Sequence, residues 1–173
     1  MSELDEAWAA ALRDAEQKAR LAGRRDVADY LSLKNSNDLL RKAGIDWLLN
    51  SFDVQAGMAN RSGSAIQITR ELGYRFKVGN STMVGTLLTL LSGVRTLYVE
   101  AGWPRTPRDG IVRGGGLACA NIRHLGLKNA SDELRLMKSN KGAPTWTITS
   151  RHSKHELLEA DVRRHLSILI DKK

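Results

Sequence analysis

The sequence lacks the features that mark disulfide-linked, membrane-spanning and exported proteins. Its 173 residues include one cysteine, Cys119, so no internal disulfide can form. No apolar run approaches the roughly 18 residues that are typical of a membrane-spanning helix. The N-terminal stretch MSELDEAWAA has neither the basic start nor the apolar block of a signal peptide. These absences predict a cytoplasmic protein with no membrane partner.

Residues and segments that interrupt regular structure are also scarce. The sequence has three prolines, no internal repeat and no low-complexity tract, and 42% of its residues are apolar. A chain of this length and composition can bury one sizeable core. We therefore predict a single domain over residues 1–173, with a helical part in 1–60, an antiparallel sheet in 61–150 and a C-terminal helix in 153–170.

Positive charge is concentrated in the middle of the chain. The formal net charge is +8, made up of −2 over residues 1–60, +5 over 61–115, +5 over 116–155 and zero over 156–173. Such an excess indicates an anionic partner, for example nucleic acid. The alternative is a basic surface that serves solubility and has no dedicated partner.

Hydrophobic periodicity predicts an α+β fold. Apolar residues of the first 60 positions recur every three or four residues, which predicts a helix ending near Gly23, a short helix around DVADYLSL and a third beginning at NSND. The period then falls to two, as in YRFKV and VRTLYVEAGW, and short connections favour antiparallel pairing. We predict N-terminal helices, a mostly antiparallel sheet of about six or seven strands, and a C-terminal helix capped by Ser153.

The same patterns predict burial. The C-terminal helix has an apolar stripe made of Leu158, Val162, Leu166 and Leu169. All four tryptophans fit apolar faces and should be core residues. The helices should cover one face of the sheet, so the excess charge should lie on its open face, edges or loops. Four basic strand residues should therefore be exposed: Arg75, Lys77, Arg95 and Arg123.

The least ordinary stretch is WPRTPRDGIVRGGGLA, residues 103–118. Its spacing fits neither a Walker loop nor a dinucleotide fingerprint. Prolines restrict the backbone on one side, while Gly114, Gly115 and Gly116 allow positive φ and close backbone approach on the other. The stretch thus presents arginines suited to phosphate contacts. The alternative is a structural connection in which Asp109 pairs with an arginine and the glycines form a bend.

Candidate anion-binding residues lie in this stretch and on the strands beside it. They are Arg95, Arg105, Arg108, Arg113, Arg123 and Tyr98. Tyr98 is the one aromatic residue that alternation places on the polar face of the sheet. A single tyrosine is a thin stacking platform, so the pattern favours contacts to backbone phosphates over reading of bases.

Catalytic patterns are weaker. Glu100, Asp109 and His124 would form a carboxylate–histidine site for hydrolysis if the fold brought them together. An ion pair between Glu100 and an arginine such as Arg123 is the favoured interpretation.

Metal-binding patterns are weak as well. His152 and His155 lie three residues apart, with no second ligand pair in the sequence. Cys119 lies in the small apolar run LACA, which is typical of a buried thiol. We predict no metal and no cofactor.

The sequence does not identify a biochemical activity or a ligand. The favoured hypothesis is a non-enzymatic binding module whose basic sheet face and arginine–glycine loop engage a polyanion, with nucleic acid as one candidate. The first alternative is a protein-interaction domain that forms a homo-oligomer. The second is a hydrolase that uses Glu100, Asp109 and His124.

Overall fold

A computed structural model of the protein describes residues 3–149 and 154–171. N-terminal helices, a seven-stranded antiparallel sheet and a C-terminal helix confirm the predicted α+β class. The helices are α1 (Glu3–Leu21), α2 (Arg25–Arg61) and α3 (Glu159–Ile170). The strands are β1 (Gln67–Val78), β2 (Ser81–Ser92), β3 (Arg95–Trp103), β4 (Ala118–His124), β5 (Asp132–Met137), β6 (Thr145–Thr149) and β7 (Lys154–Glu156).

One long helix replaces the two that were predicted after Gly23. α2 continues for 37 residues through both DVADYLSL and NSND. Asparagine, serine and aspartate cost a helix far less than proline does, so residues that often cap a helix need not end one. Asp38 instead pairs with Arg41 along the same helix, at 2.7 Å. No helix in the described ranges combines the length and the apolar character needed to cross a membrane.

The chain divides within α2 into two compact units, residues 1–42 and 43–173. In the first unit, α1 packs against the early part of α2. The Lys42 ammonium lies 3.5 Å from a carboxylate oxygen of Asp5, and Leu12 is buried. The helical part of the chain ends at Arg61, and the sheet begins at Gln67.

The tryptophans do not all lie in the core. Trp146 is buried, and its indole N–H donates to the carbonyl of Gly44 in α2, at 2.8 Å. Trp103 is half-buried, whereas Trp8 and Trp47 are 50% and 49% exposed. The prediction that all four are core residues is wrong. Helical periodicity shows that side chains share a face, but the face is buried only where another element covers it.

The sheet of the second unit is a meander in which each strand pairs with the next. Directly paired residues share a face, and the row through Leu88, Val99 and Ile122 is fully buried. The later part of α2 and α3 cover this face, where the rings of Phe52 and His165 lie 6.3 Å apart. We call it the helix-covered face, and the opposite side the open face.

The C-terminal helix begins later than predicted. Lys154–Glu156 form β7, and α3 starts at Glu159, where the Asp161 carboxylate accepts the backbone N–H of Leu158 at 2.9 Å. Leu158 is thus a flanking residue and is 57% exposed, contrary to the prediction. The predicted cap Ser153 lies outside the described residues. The other three residues of the stripe, Val162, Leu166 and Leu169, are buried as predicted.

Three glycines lie together in β1, β2 and β3. Gly73 forms a bulge in β1, and Gly85 and Gly102 pair directly in the next two strands. A Cβ on Gly85 would collide with the carbonyl oxygen of Ala101, and one on Gly102 would stand 2.6 Å from the carbonyl group of Val84. Such close approach of two strand backbones requires glycine and is typical of a sharply bent sheet.

The Gly73 bulge changes which face the following β1 residues occupy. Phe76 points to the open face and packs with Met83 and Cys119. Arg75 and Lys77 point to the other face and are exposed, as predicted. β1 therefore places apolar side chains on both faces of the sheet.

Candidate functional site

Three connections of the meander meet at one end of the sheet. In a meander, alternate connections lie at the same end, which brings together the β1–β2 turn, the β3–β4 loop and the β5–β6 connection. With the strand residues that flank them, they comprise residues 74–82, 103–117 and 135–146. We call this region the basic end.

The basic end carries most of the excess positive charge of the protein. Its three stretches contain eight basic residues and one carboxylate, Asp109, for a net charge of +7. The basic residues are Arg75, Lys77, Arg105, Arg108, Arg113, Arg135, Lys138 and Lys141. Several of them have no side-chain hydrogen bond or ion pair to any residue that the structure describes, among them Arg108 and Arg113, which are both exposed.

The open face of the sheet is not basic, contrary to our expectation. Glu71, Glu100 and Glu133 lie in one cross-strand row on this face. Counting all strands, it carries four acidic and three basic residues. These are Glu71, Glu100, Glu133, Glu156, Arg123, Arg135 and Lys154. The charge excess therefore lies at the basic end, in its loops and in the strand residues that flank them.

Arg123 is exposed as predicted, but it is engaged by Glu100. Its Nε and Nη2 donate to the two carboxylate oxygens at 3.2 and 3.1 Å, and Asn121 donates to the same carboxylate at 2.9 Å. The guanidinium also lies 5.2 Å from the centre of the Tyr98 ring. Glu100 is only 4% exposed. The pKa of Tyr74 is raised by the partial burial of its own side chain and by the negative charge of Glu100. The favoured ion-pair interpretation of Glu100 is confirmed.

Arg95 is not part of an exposed basic surface, and its predicted exposure is wrong. It is half-buried, and its guanidinium donates to the carbonyl of Ile168 in the last turn of α3. The last carbonyls of a helix have no partner within the helix, so a nearby arginine is a suitable donor. The β2–β3 turn that precedes Arg95 also lies at the end of the sheet opposite the basic end.

The β3–β4 loop is held in place by Asp109. This carboxylate accepts the backbone N–H groups of Arg105 and Thr106 at 3.2 and 3.1 Å, and the Arg75 guanidinium at 2.9 Å. Burial raises the pKa of Asp109, but these hydrogen bonds outweigh burial and lower it below its ordinary value. Asp109 therefore has the structural role that was the alternative interpretation of this stretch.

A second anchor ties the loop to the start of β2. The Ser81 hydroxyl donates to the carbonyl of Ile111 at 2.9 Å and accepts the N–H of the same residue at 3.2 Å. Arg105 is fixed as well: its guanidinium stacks 3.5 Å above the centre of the Trp103 ring, and its Nε donates to the carbonyl of Val84 at 3.3 Å. The loop is thus a rigid support for its arginines.

The three consecutive glycines adapt the loop to a neighbouring arginine. Gly114 and Gly115 have positive φ angles of 73° and 74°. A Cβ on Gly114 would collide with the Arg135 guanidinium, and one on Gly116 would stand 2.5 Å from its Cγ. The glycines therefore provide both the bend and the close approach that the sequence predicted, although the approaching group is a side chain of the protein.

The underside of the loop covers an apolar cluster. Val112 packs against Phe76, Met83 and Cys119 on the open face. Burial raises the pKa of the Cys119 thiol to about 11, so it is a neutral core thiol at physiological pH, as predicted. Cys119 and His124 lie five residues apart on β4 and point to opposite faces.

A buried polar cluster that the sequence analysis missed lies on the helix-covered face. His124 Nε2 is 2.9 Å from His165 Nδ1, and His165 Nε2 is 2.9 Å from a carboxylate oxygen of Asp132. Arg164 also donates to this carboxylate, at 2.6 Å. Burial and the neighbouring His165 lower the pKa of His124 to about 4, while bonds from His165 and Arg164 lower that of Asp132. The sequence feature that could have revealed this cluster is the position of His165 on the apolar stripe of α3, between Val162 and Leu166.

Among the described residues, the side chains considered for hydrolysis are not brought together into one site, and no metal-binding group is formed. Glu100 and His124 belong to opposite faces of the sheet, and Asp109 is engaged by the loop. His155 pairs with Asp161 at 3.4 Å, and His152 lies outside the described residues. Within the described ranges, no group of three or more histidine, cysteine, aspartate or glutamate residues is placed to hold a metal ion.

Comparisons of the chain with models of protein families, curated proteins and solved structures find no match.

Proposed function

We propose that the protein binds a polyanion, with nucleic acid as the favoured candidate, through the basic end of its sheet. The observation that carries the proposal is the net charge of +7 on three stretches that the meander brings to one end. A cluster of one sign attracts a polyanion, and phosphate contacts release counterions into solution.

The construction of the site favours contacts to phosphates. Its arginines stand on a loop whose backbone is fixed by Asp109 and Ser81, so little loop entropy is lost on binding. The nearest tryptophan, Trp103, is already stacked under Arg105 and does not offer a free ring to a base. Binding through the phosphate backbone is largely independent of sequence and strongly dependent on salt.

Replacing Arg105, Arg108 and Arg113 by alanine should weaken binding and flatten its salt dependence. If each arginine contacts one phosphate, the slope of log affinity against log salt should fall by about 2–3 units. Fluorescence anisotropy with a labelled oligonucleotide at several salt concentrations measures this slope. Thermal unfolding should change little for Arg108 and Arg113, which are exposed.

A control of equal charge is available in the first unit. Arg13 in α1, Arg24 between the two helices and Arg25 at the start of α2 are all exposed. Their replacement by alanine also removes three positive charges. This variant should keep the salt slope of the native protein. Equal slopes for all three proteins would remove the β3–β4 loop from the proposal, and an equal loss in both variants would show an effect of net charge alone.

The homo-oligomer that the sequence analysis gave as an alternative remains a prediction. α2 exposes three large apolar side chains of the second unit, Trp47, Val54 and Met58. Exposed apolar residues on one helix are a feature of protein contacts, but single ones are common on any surface. Light scattering over a range of protein concentrations tests this alternative.

A further inference from the structure

Arg135 is an arginine of the basic end that has no hydrogen-bond or ion-pair partner among residues 3–149 and 154–171. It projects from β5 on the open face and is half-buried. Its Nε–H is buried and donates no hydrogen bond, and no ion pair of Arg135 is found in the part of the chain that the structure describes. The buried carboxylates Glu100 and Asp109, in contrast, are each matched by several donors.

The glycines of the β3–β4 loop fix the position of this side chain. Its aliphatic stem lies where a Cβ on Gly116 would stand, and its guanidinium lies where a Cβ on Gly114 would stand. The third glycine differs, because a Cβ on Gly115 would meet no atom within 4 Å. Two of the three consecutive glycines thus leave the space that the Arg135 side chain occupies.

A desolvated, unpaired N–H on a guanidinium destabilises the folded protein. The same arrangement favours an anion, since electrostatic attraction is stronger where water is partly excluded and the side chain is already ordered. The terminal amino groups of a guanidinium match two oxygens of a phosphate. Arg135 belongs to the basic end, whose net charge is +7, and the adjacent β3–β4 loop carries Arg113, whose guanidinium lies beside Gly79.

We propose that Arg135 is the phosphate anchor of the basic end, held by Gly114 and Gly116 so that its outer amino groups bind one phosphate. This inference rests on the proposed function and names the group that the site recognises. The phosphate belongs either to the backbone of a polynucleotide or to a smaller phosphorylated ligand. The two sources share this chemistry, and the experiments below separate them.

The first experiment measures oligonucleotide affinity for three charge variants. Arg135→Gln should lower the affinity about tenfold and flatten the salt slope by about one unit. Arg135→Lys should restore the slope but not the full affinity, because an ammonium cannot make the two parallel contacts. Lys128→Gln removes the same charge from the exposed β4–β5 connection at the opposite end and should leave binding unchanged.

A pair of glycine variants tests the anchor without altering charge. Gly114→Ala and Gly115→Ala carry the same backbone strain, since both residues have a positive φ near 74°. Only the first displaces the Arg135 guanidinium. Gly114→Ala should therefore lose affinity as Arg135→Gln does, while Gly115→Ala keeps it. Equal affinities in this pair, or native affinity in Arg135→Gln, would overturn the inference and leave the proposed function standing.

Side-chain nitrogen NMR separates the sources of the phosphate. Because its Nε–H is covered, Arg135 should give a slowly exchanging side-chain signal, assigned by its loss in Arg135→Gln. Both pyrophosphate and the oligonucleotide should shift this signal if the ligand is a polynucleotide. A shift with pyrophosphate alone would contradict the proposed function but retain the anchor for a small phosphorylated ligand. No shift with either probe would overturn the inference.

Discussion

Gly85→Ala should be among the most destabilising single changes in this protein. The new methyl group would collide with the carbonyl oxygen of Ala101 and stand 2.6 Å from Cα of Gly102. Both are backbone atoms of the paired strand, so only separation of β2 from β3 can relieve the collision. We expect a loss of about 3 kcal/mol or more in the free energy of unfolding, at the upper end of what overpacking causes.

Gly57→Ala provides the matched control in urea-induced unfolding. Gly57 lies within α2, and a Cβ there would approach nothing closer than the Arg61 guanidinium, at 3.9 Å. Alanine is a better helix former than glycine, so this variant should be more stable by roughly 0.5–1 kcal/mol. A Gly85→Ala protein as stable as the native one would contradict the close approach of β2 and β3.

Acid should destabilise the protein well before its carboxylates titrate. His124 is uncharged in the fold, with a pKa of about 4, whereas an unfolded histidine takes up a proton near pH 6.5. Between these values the unfolded state binds more protons, so the free energy of unfolding falls as the pH falls. The full loss is about 3 kcal/mol by pH 4. The pKa of Asp132 is lowered from 3.8, so its contribution is lost only at still lower pH.

Urea unfolding between pH 4.5 and 7 measures this dependence. His124→Gln should flatten the curve, since the titrating group is gone. His155→Gln is the matched control, because His155 is an exposed histidine at the edge of the same sheet, and its curve should follow the native one. A native protein of constant stability over this range, or equal flattening in both variants, would contradict the role of the buried pair.

Local periodicity was enough to predict which residues of β3 share a face. Alternation along VRTLYVEAGW places Leu97 and Val99 under the helices and Tyr98 and Glu100 on the open face, and the structure confirms it. Burial of Val162, Leu166 and Leu169 followed from helical spacing in the same way. These features depend on a few neighbouring residues and on a single covering surface.

Features that depend on non-local placement were not predicted. Net charge by segment located the basic region, but only strand order shows that it gathers at one end and not on a face. Arg135 lies in a strand with ordinary alternation of apolar and polar residues, so no local pattern shows that its side chain packs against Gly114 and Gly116. Arg95 does not belong to the basic surface because it donates to the carbonyl of Ile168, which lies 73 residues away in the sequence. Gly85 and Gly102 could have been used to predict the close approach of β2 and β3, since glycine inside a strand marks a bend or a close backbone contact.

The most direct measurement is backbone amide NMR of nitrogen-15-labelled protein titrated with an oligonucleotide. Binding at the basic end should shift signals of the β1–β2 turn, the β3–β4 loop and the β5–β6 connection. Signals of Gly93, Val94 and residues 125–131, in the two connections at the opposite end, should remain in place. Shifts centred on the open face or on that opposite end would contradict the assignment of the binding site to the basic end.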